Sequence, residues 1–205
     1  MSRELFDDVR TFEGRLGLPN GFYDSLLRED DWSFVIKLNA LFEAACTHAL
    51  AARMHAPELI EALSSLEFAH TKAGKIVFLE QLGAVTPQQS SILRKLAELR
   101  NSLVHNISRV GFRFKDHVDT SDSNQKAALV KTFGHGIRDD IELKGQKIPL
   151  EQFVLQNPKL ALWLTAAEVL ACLHLEFERA ELRLRGAALA EYMRVALPSG
   201  LTRNP

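Results

Sequence analysis

The sequence predicts an all-α fold, a bundle of four to six helices carrying a small irregular or β-hairpin insertion. Three observations carry that expectation. Apolar residues recur every three or four positions through most of the chain. Several of those runs open on Asp, Thr or Asn, two of them with proline next in line. A chain of 205 residues, 46% hydrophobic and 25% charged, suits one globular domain.

Taken in order, "WSFVIKLNALFEAACTHALAARM" follows Asp30 and Asp31, either of them a plausible N-cap, and places Phe34, Leu38, Leu41, Phe42, Ala45 and Ala49 on one stripe. A short helix over "APELIEALSSL" follows, then a helix over 71–85 giving Ile76, Leu79 and Leu82 to a core. Thr86 caps the next helix, with Pro87 in its first turn and Gln89 three residues on, the capping-box spacing. Its apolar positions are Ile92, Leu93, Leu96, Leu99, Leu103 and Ile107. Asn157 and Pro158 open a last long helix, expected to stop at Gly186.

Between these runs the composition changes. In "SRVGFRFKDHV" Val110, Phe112 and Phe114 alternate with Arg109, Arg113 and Lys115, the period of a strand with one basic face. "DTSDSNQ" reads as a turn and "KTFGHGIRDDIELKGQKIP" as a second short strand, so residues 108–148 form the expected insertion into a single domain.

Charge and motifs narrow the function classes. A net charge of −1 lacks the overall basic field of a non-specific nucleic-acid binder, while leaving room for local basic patches. The opening "MSRELFDDVRTFEGRLG" has no apolar run, which argues against a secretory signal or a membrane anchor. Cys46 and Cys172 stand far apart in apolar segments and read as reduced packing residues of a cytoplasmic protein. Glu67 and His70 have the Glu-x-x-His spacing of di-iron bundles, but no second copy accompanies them. His48 and His174 read as core histidines and His135, between two glycines, as a loop residue. Arg179 and Arg183 read as a solvated helix face. No metal and no cofactor is expected.

The sharpest pattern is "LAELRNSLVHNISR", where Arg100, Asn101 and His105 fall together near the end of a capped helix. Arginine keeps its proton at neutral pH and presents a fork that fits phosphate oxygens. Histidine titrates near neutrality and can move a proton. On an ideal helix Asn101 and His105 share a face, whereas Arg100 and His105 lie about 140° apart. Two copies of the helix meeting across a two-fold axis would bring both groups to one cleft. A plainer reading has Arg100 pairing with a carboxylate, Asn101 solvated and His105 favouring the helix C-terminus.

"LRNSLVH" resembles the Arg-x4-6-His motif of the HEPN superfamily of small helical domains. The longer stretch "HTKAGKIVFLEQLGAVTPQQSSILRKLAELRNSLVH" also resembles the layout of mannitol-repressor-like proteins. The likeness covers about residues 70–117. It implies an all-helical fold and, for catalytic members, metal-independent RNA cleavage of toxin or defence type. Arg100, Asn101 and His105 would then be catalytic, the protein a homodimer and an antitoxin or regulatory protein its partner. From the regulatory members it implies instead a non-catalytic helical protein acting through protein contacts. Apart from the likeness, Arg109, Arg113 and Lys115 suit an RNA backbone, with Phe112 or Phe114 stacking on bases; the plainer reading is a solvated strand face with the phenylalanines in the core.

Overall fold

The computed structural model describes residues 3–137, 140–143 and 146–196. Among them ten α-helices and one two-stranded ribbon are found, so the chain is all-α, with more and shorter helices than the four to six expected.

Three long helices set the frame: α3 (Asp31–Arg53), α6 (Pro87–Val104) and α10 (Pro158–Ala196). α3 starts where expected, with Asp30 as N-cap accepting the Ser33 amide at 2.9 Å. Its Phe34, Leu38, Phe42 and Ala45 are fully buried, and each such Leu or Phe stabilises the fold by roughly 1.5–3 kcal/mol before entropy. Mixed apolar faces suit it, since α10 packs on one side and α6 on another. Near its start Asp31 lies 3.3 Å from Lys159, and at its end Arg53 lies 3.3 Å from Glu176. The two helices therefore run in the same direction. α6 runs opposite: its first turn reaches Glu168 through Gln89 at 3.0 Å, while Arg100 and Asn101 come beside Asn39 and Glu43 of α3.

The shorter elements close the bundle. α1 (Arg3–Arg15) lays Val9 and Phe12 against α10, and α2 (Phe22–Ser25) buries Tyr23. The Tyr23 and Trp163 rings stack at 5.0 Å, and each donates from its polar tip to the other's backbone carbonyl. Glu13, buried beside them, accepts the Tyr23 amide, and desolvation pushes its carboxyl above the ordinary range. A 3-10 turn (Pro57–Leu59) and α4 (Ile60–Ser64) form the expected short helix.

α5 (Lys75–Gln81) is shorter than expected: residues 71–74 form a turn, and Leu82 caps the helix with 39% exposure instead of joining the core. α6 keeps its full capping box, Thr86 to the Gln89 amide and Gln89 to the Thr86 amide. It ends at Val104, however. Ile107 therefore leaves the helix and stands 86% exposed in a 3-10 turn (Ile107–Arg109).

The expected strand at 108–118 does not form. That 3-10 turn leads to α7 (Phe114–Thr120), held at its start by the Phe114 amide donating to Asp31 at 2.9 Å. Local alternation suggested a strand, but among the described residues no partner strand lies alongside, and Phe114 buries into a T-shaped aromatic cluster with Phe34 and Phe133 instead. "DTSDSNQ" supplies the Asp122 capping box of α8 (Ser123–Phe133). Two four-residue strands do pair at the far end of the segment: β1 (Asp140–Leu143) lies antiparallel to β2 (Gln146–Pro149), which leads into α9 (Leu150–Gln156). Residues 138, 139, 144 and 145 of the expected second strand lie outside the described residues.

α10 begins at Pro158 as expected but passes through Gly186 without stopping and runs to Ala196. α3 and α10 each hold an 18-residue window apolar enough to cross a bilayer, and 67% of each window is buried in the bundle. Past Glu181 the helix is exposed all round, with Leu182 at 65% and Leu189 at 62%. This arm extends beyond the Arg53–Glu176 end of the bundle. The end of α6 lies at the opposite end.

Candidate functional site

The motif sits where α6 runs out. Thr86 and Gln89 fix the start of the helix, buried Ile92, Leu93, Leu96 and Leu103 fix its rotation, and the opposite face faces solvent. Arg100 is half-buried, and its Nη1 donates to Asn101 Oδ1 at 3.0 Å. That bond fixes the amide orientation, leaving the Asn101 Nδ2 group as a donor. His105 is the C-cap: its backbone N–H donates to the Asn101 carbonyl at 3.2 Å while the imidazole stands exposed. Arg100 and Asn101 are therefore brought together, and His105 is held one turn on without sharing their cleft.

That cleft, of about 410 Å³, is lined by Asn39, Glu43, Glu67, His70, Arg100 and Asn101, with Phe68 and two alanines. Glu67 and His70 belong to the loop between α4 and α5, not to a helix, so their spacing is not that of a di-iron helix pair. Among the described residues no group of three His, Cys, Asp or Glu side chains is placed to hold a metal ion. The loop fixes the imidazole of His70: the amides of Lys72 and Ala73 donate to its Nδ1 at 3.3 and 3.1 Å. In its neutral form the ring carries its hydrogen on Nε2. Behind the cleft wall Lys75, 1% exposed, lies 3.4 Å from Glu43. Asn39 is 4% exposed and its Oδ1 has no partner. Sequence reasoning set Glu67 and His70 aside as an incomplete metal motif and did not single out Asn39 or Glu43, because only tertiary packing puts α3 and the loop beside α6.

The three basic residues do not form one strand face. Arg109 and Arg113 line a shallow hollow of about 320 Å³ with Ser108, Phe112, Asp116 and His117. Arg109 Nη1 also donates to Ser102 Oγ at 3.1 Å. Lys115 lies outside that hollow and pairs with Asp119, which raises its pKa through a hydrogen bond. Phe114 is 2% exposed and cannot stack on a base; Phe112 is half-buried, packed edge-on against Phe114 at 5.2 Å. Burial lowers the His117 pKa, and Arg109 adds to the effect.

The remaining candidates lie outside the lining of the Arg100 cleft. Cys46 and Cys172 are free thiols, and burial pushes both upward, Cys172 to about 11. His174 is 2% exposed, packed 5.6 Å from the Phe12 ring. His48 is half-buried and His135 exposed in a turn. Arg179 is exposed and bonds Glu176.

Beside the trio three apolar side chains are open to solvent: Val104 at 36%, Ile107 at 86% and Val110 at 58%. No protein-family model, characterised protein or solved structure matches the chain.

Proposed function

We propose that this chain is a HEPN-like protein that cleaves RNA without a metal ion, with the site completed across a homodimer. The observation that carries the reading is the placement of Arg100 and Asn101 as a bonded pair one turn before an exposed His105. In this reading the Arg100 guanidinium holds the scissile phosphate and stabilises charge on the pentacoordinate transition state. His105 takes the ribose 2′-OH proton as that oxygen attacks phosphorus and the P–O5′ bond breaks, the 5′-oxygen taking a proton from solvent water, which leaves a 2′,3′-cyclic phosphate. Asn101 orients Arg100. Arg109 and Arg113 supply cationic contacts for the flanking backbone.

Because Arg100 lines the cleft and His105 stands outside it, a second copy supplies the complementary group. The exposed Val104, Ile107 and Val110 beside the motif give that contact its apolar component. A cytoplasmic toxin or defence effector held in check by an antitoxin is the setting this chemistry fits.

A second reading is favoured by one observation: Glu43 and Glu67 stand in the cleft beside Arg100, where they oppose a bare phosphate. A mannitol-repressor-like regulatory protein, using the trio as a protein-contact surface, accommodates them directly.

The deciding experiment incubates the protein with mixed-sequence RNA in excess EDTA beside Arg100→Ala and His105→Ala. Cleavage by the parent chain alone, leaving 2′,3′-cyclic ends, is the expected result; cleavage by the double variant ends the catalytic reading.

A further inference from the structure

The cleft beside Arg100 is oddly furnished for a phosphate site, because it mixes cation, carboxylates and amides in one space. A ligand that satisfies it must present an anion to Arg100 and N–H donors to the carboxylates. Of the two acids, Glu43 is engaged by the buried ammonium of Lys75. Glu67 is exposed and makes no side-chain hydrogen bond or ion pair with another described residue. Its two oxygens can therefore accept from a ligand in exchange for water. His70, locked by the Lys72 and Ala73 amides on Nδ1, offers an Nε2–H donor in its neutral form on the same lining. Asn39 also lines the cleft, with its Oδ1 buried and unpartnered in the wall.

We propose that this cleft is a guanine-selective nucleotide pocket. The base edge of guanine presents adjacent N1–H and N2–H donors, which a carboxylate accepts in parallel, with the O6 acceptor next to them. Adenine, cytosine and uracil each set an acceptor against the carboxylate in place of one of those donors. Glu67 takes N1–H and N2–H, His70 donates to O6, and the free Asn101 amide and Arg100 reach the sugar and phosphate. The volume of about 410 Å³ lies within the range of about 300–1,000 Å³ for small-molecule sites.

This pocket rests on the RNA reading only for what carries the guanine, and its test separates the two. The full chain is titrated calorimetrically with 5′-GMP, AMP, CMP and UMP, and the ends of its RNA products are sequenced in EDTA. GMP is expected to bind about tenfold or more tightly than AMP, and Glu67→Gln to lose that preference, as a bidentate contact requires. Glu67 is exposed, so the variant is expected to keep its fold, checked by its circular dichroism and melting temperature. Equal binding of the four nucleotides, or an undiminished GMP preference in Glu67→Gln, overturns the proposal. RNA cleavage with neither base preference nor GMP preference overturns it while leaving the ribonuclease standing. GMP selectivity without RNA turnover sustains the pocket and removes the ribonuclease.

Discussion

Lys75 Nζ lies 3.4 Å from Glu43 Oε1 and donates to the Ser64 carbonyl at 3.1 Å, with only 1% of the lysine side chain exposed. One buried ammonium thus ties α3 to the end of α4 and the start of α5, behind the cleft wall. Glu43 is 39% exposed, so solvent screens part of the attraction. Glu43→Gln is expected to lower stability by about 1–3 kcal/mol, because the buried cation loses its counter-charge. Lys75→Met keeps the volume and removes the charge, and is expected to cost less. Urea midpoints of both variants check the order.

His105 is exposed and its imidazole makes no hydrogen bond with another described residue. His105→Ala is therefore expected to change stability by no more than about 0.5 kcal/mol, while abolishing cyclic-phosphate formation. Melting and RNA turnover on one preparation test the split. A loss of both together would mark the residue as structural.

Ile107 is 86% exposed next to the motif. Ile107→Asp is expected to convert a dimer to a monomer at micromolar concentration, and to remove RNA cleavage with it. Light scattering coupled to size exclusion reads the first, product analysis the second. An unchanged mass would rule out this surface as the contact between copies.

A Cβ added at Gly74 would meet the backbone N and O of His70 at 2.6 Å and the Phe68 carbonyl at 3.0 Å. Its backbone has φ −83°, which any residue adopts, so the constraint is close approach rather than dihedral strain. Gly74→Ala is expected to cost roughly 1–3 kcal/mol and to shift the Glu67–His70 loop. Denaturant unfolding and the His70 ring resonances report the two effects.

His174 is nearly fully buried, and desolvation lowers its pKa, with Arg15 adding to that and Glu178 opposing. The unfolded chain therefore binds this proton more readily than the folded one. Stability from His174 is complete above the unfolded value of about 6.5 and is lost as pH falls below it towards the folded value. Half-buried His48 and His117, both lowered by burial, act with the same sign. The melting temperature is expected to fall between pH 7.5 and 5.5, and less steeply in His174→Gln. Identical slopes would show that His174 does not titrate in this window.

Local chemistry written in the sequence determined where the frame begins. Asp30, Thr86 with Gln89, and Pro158 each start the helix their side chains predict, since a cap acts within one turn and needs no tertiary partner. The stripe from Phe34 to Ala49 and the helical setting of Arg100, Asn101 and His105 were legible for the same reason: both depend on helical period alone.

Tertiary structure decided the rest. Alternation over 110–115 suggests a strand, yet a strand needs a partner, and burying Phe114 between Phe34 and Phe133 favours a turn and α7. Gly186 has the chemistry of a stop, yet α10 continues through it to Ala196. Above all, the cleft joins Asn39 and Glu43 of α3, Glu67 and His70 of a loop, and Arg100 and Asn101 of α6. No spacing in the sequence encodes that meeting, because it arises from two helices packing in opposite directions with the loop folded between them.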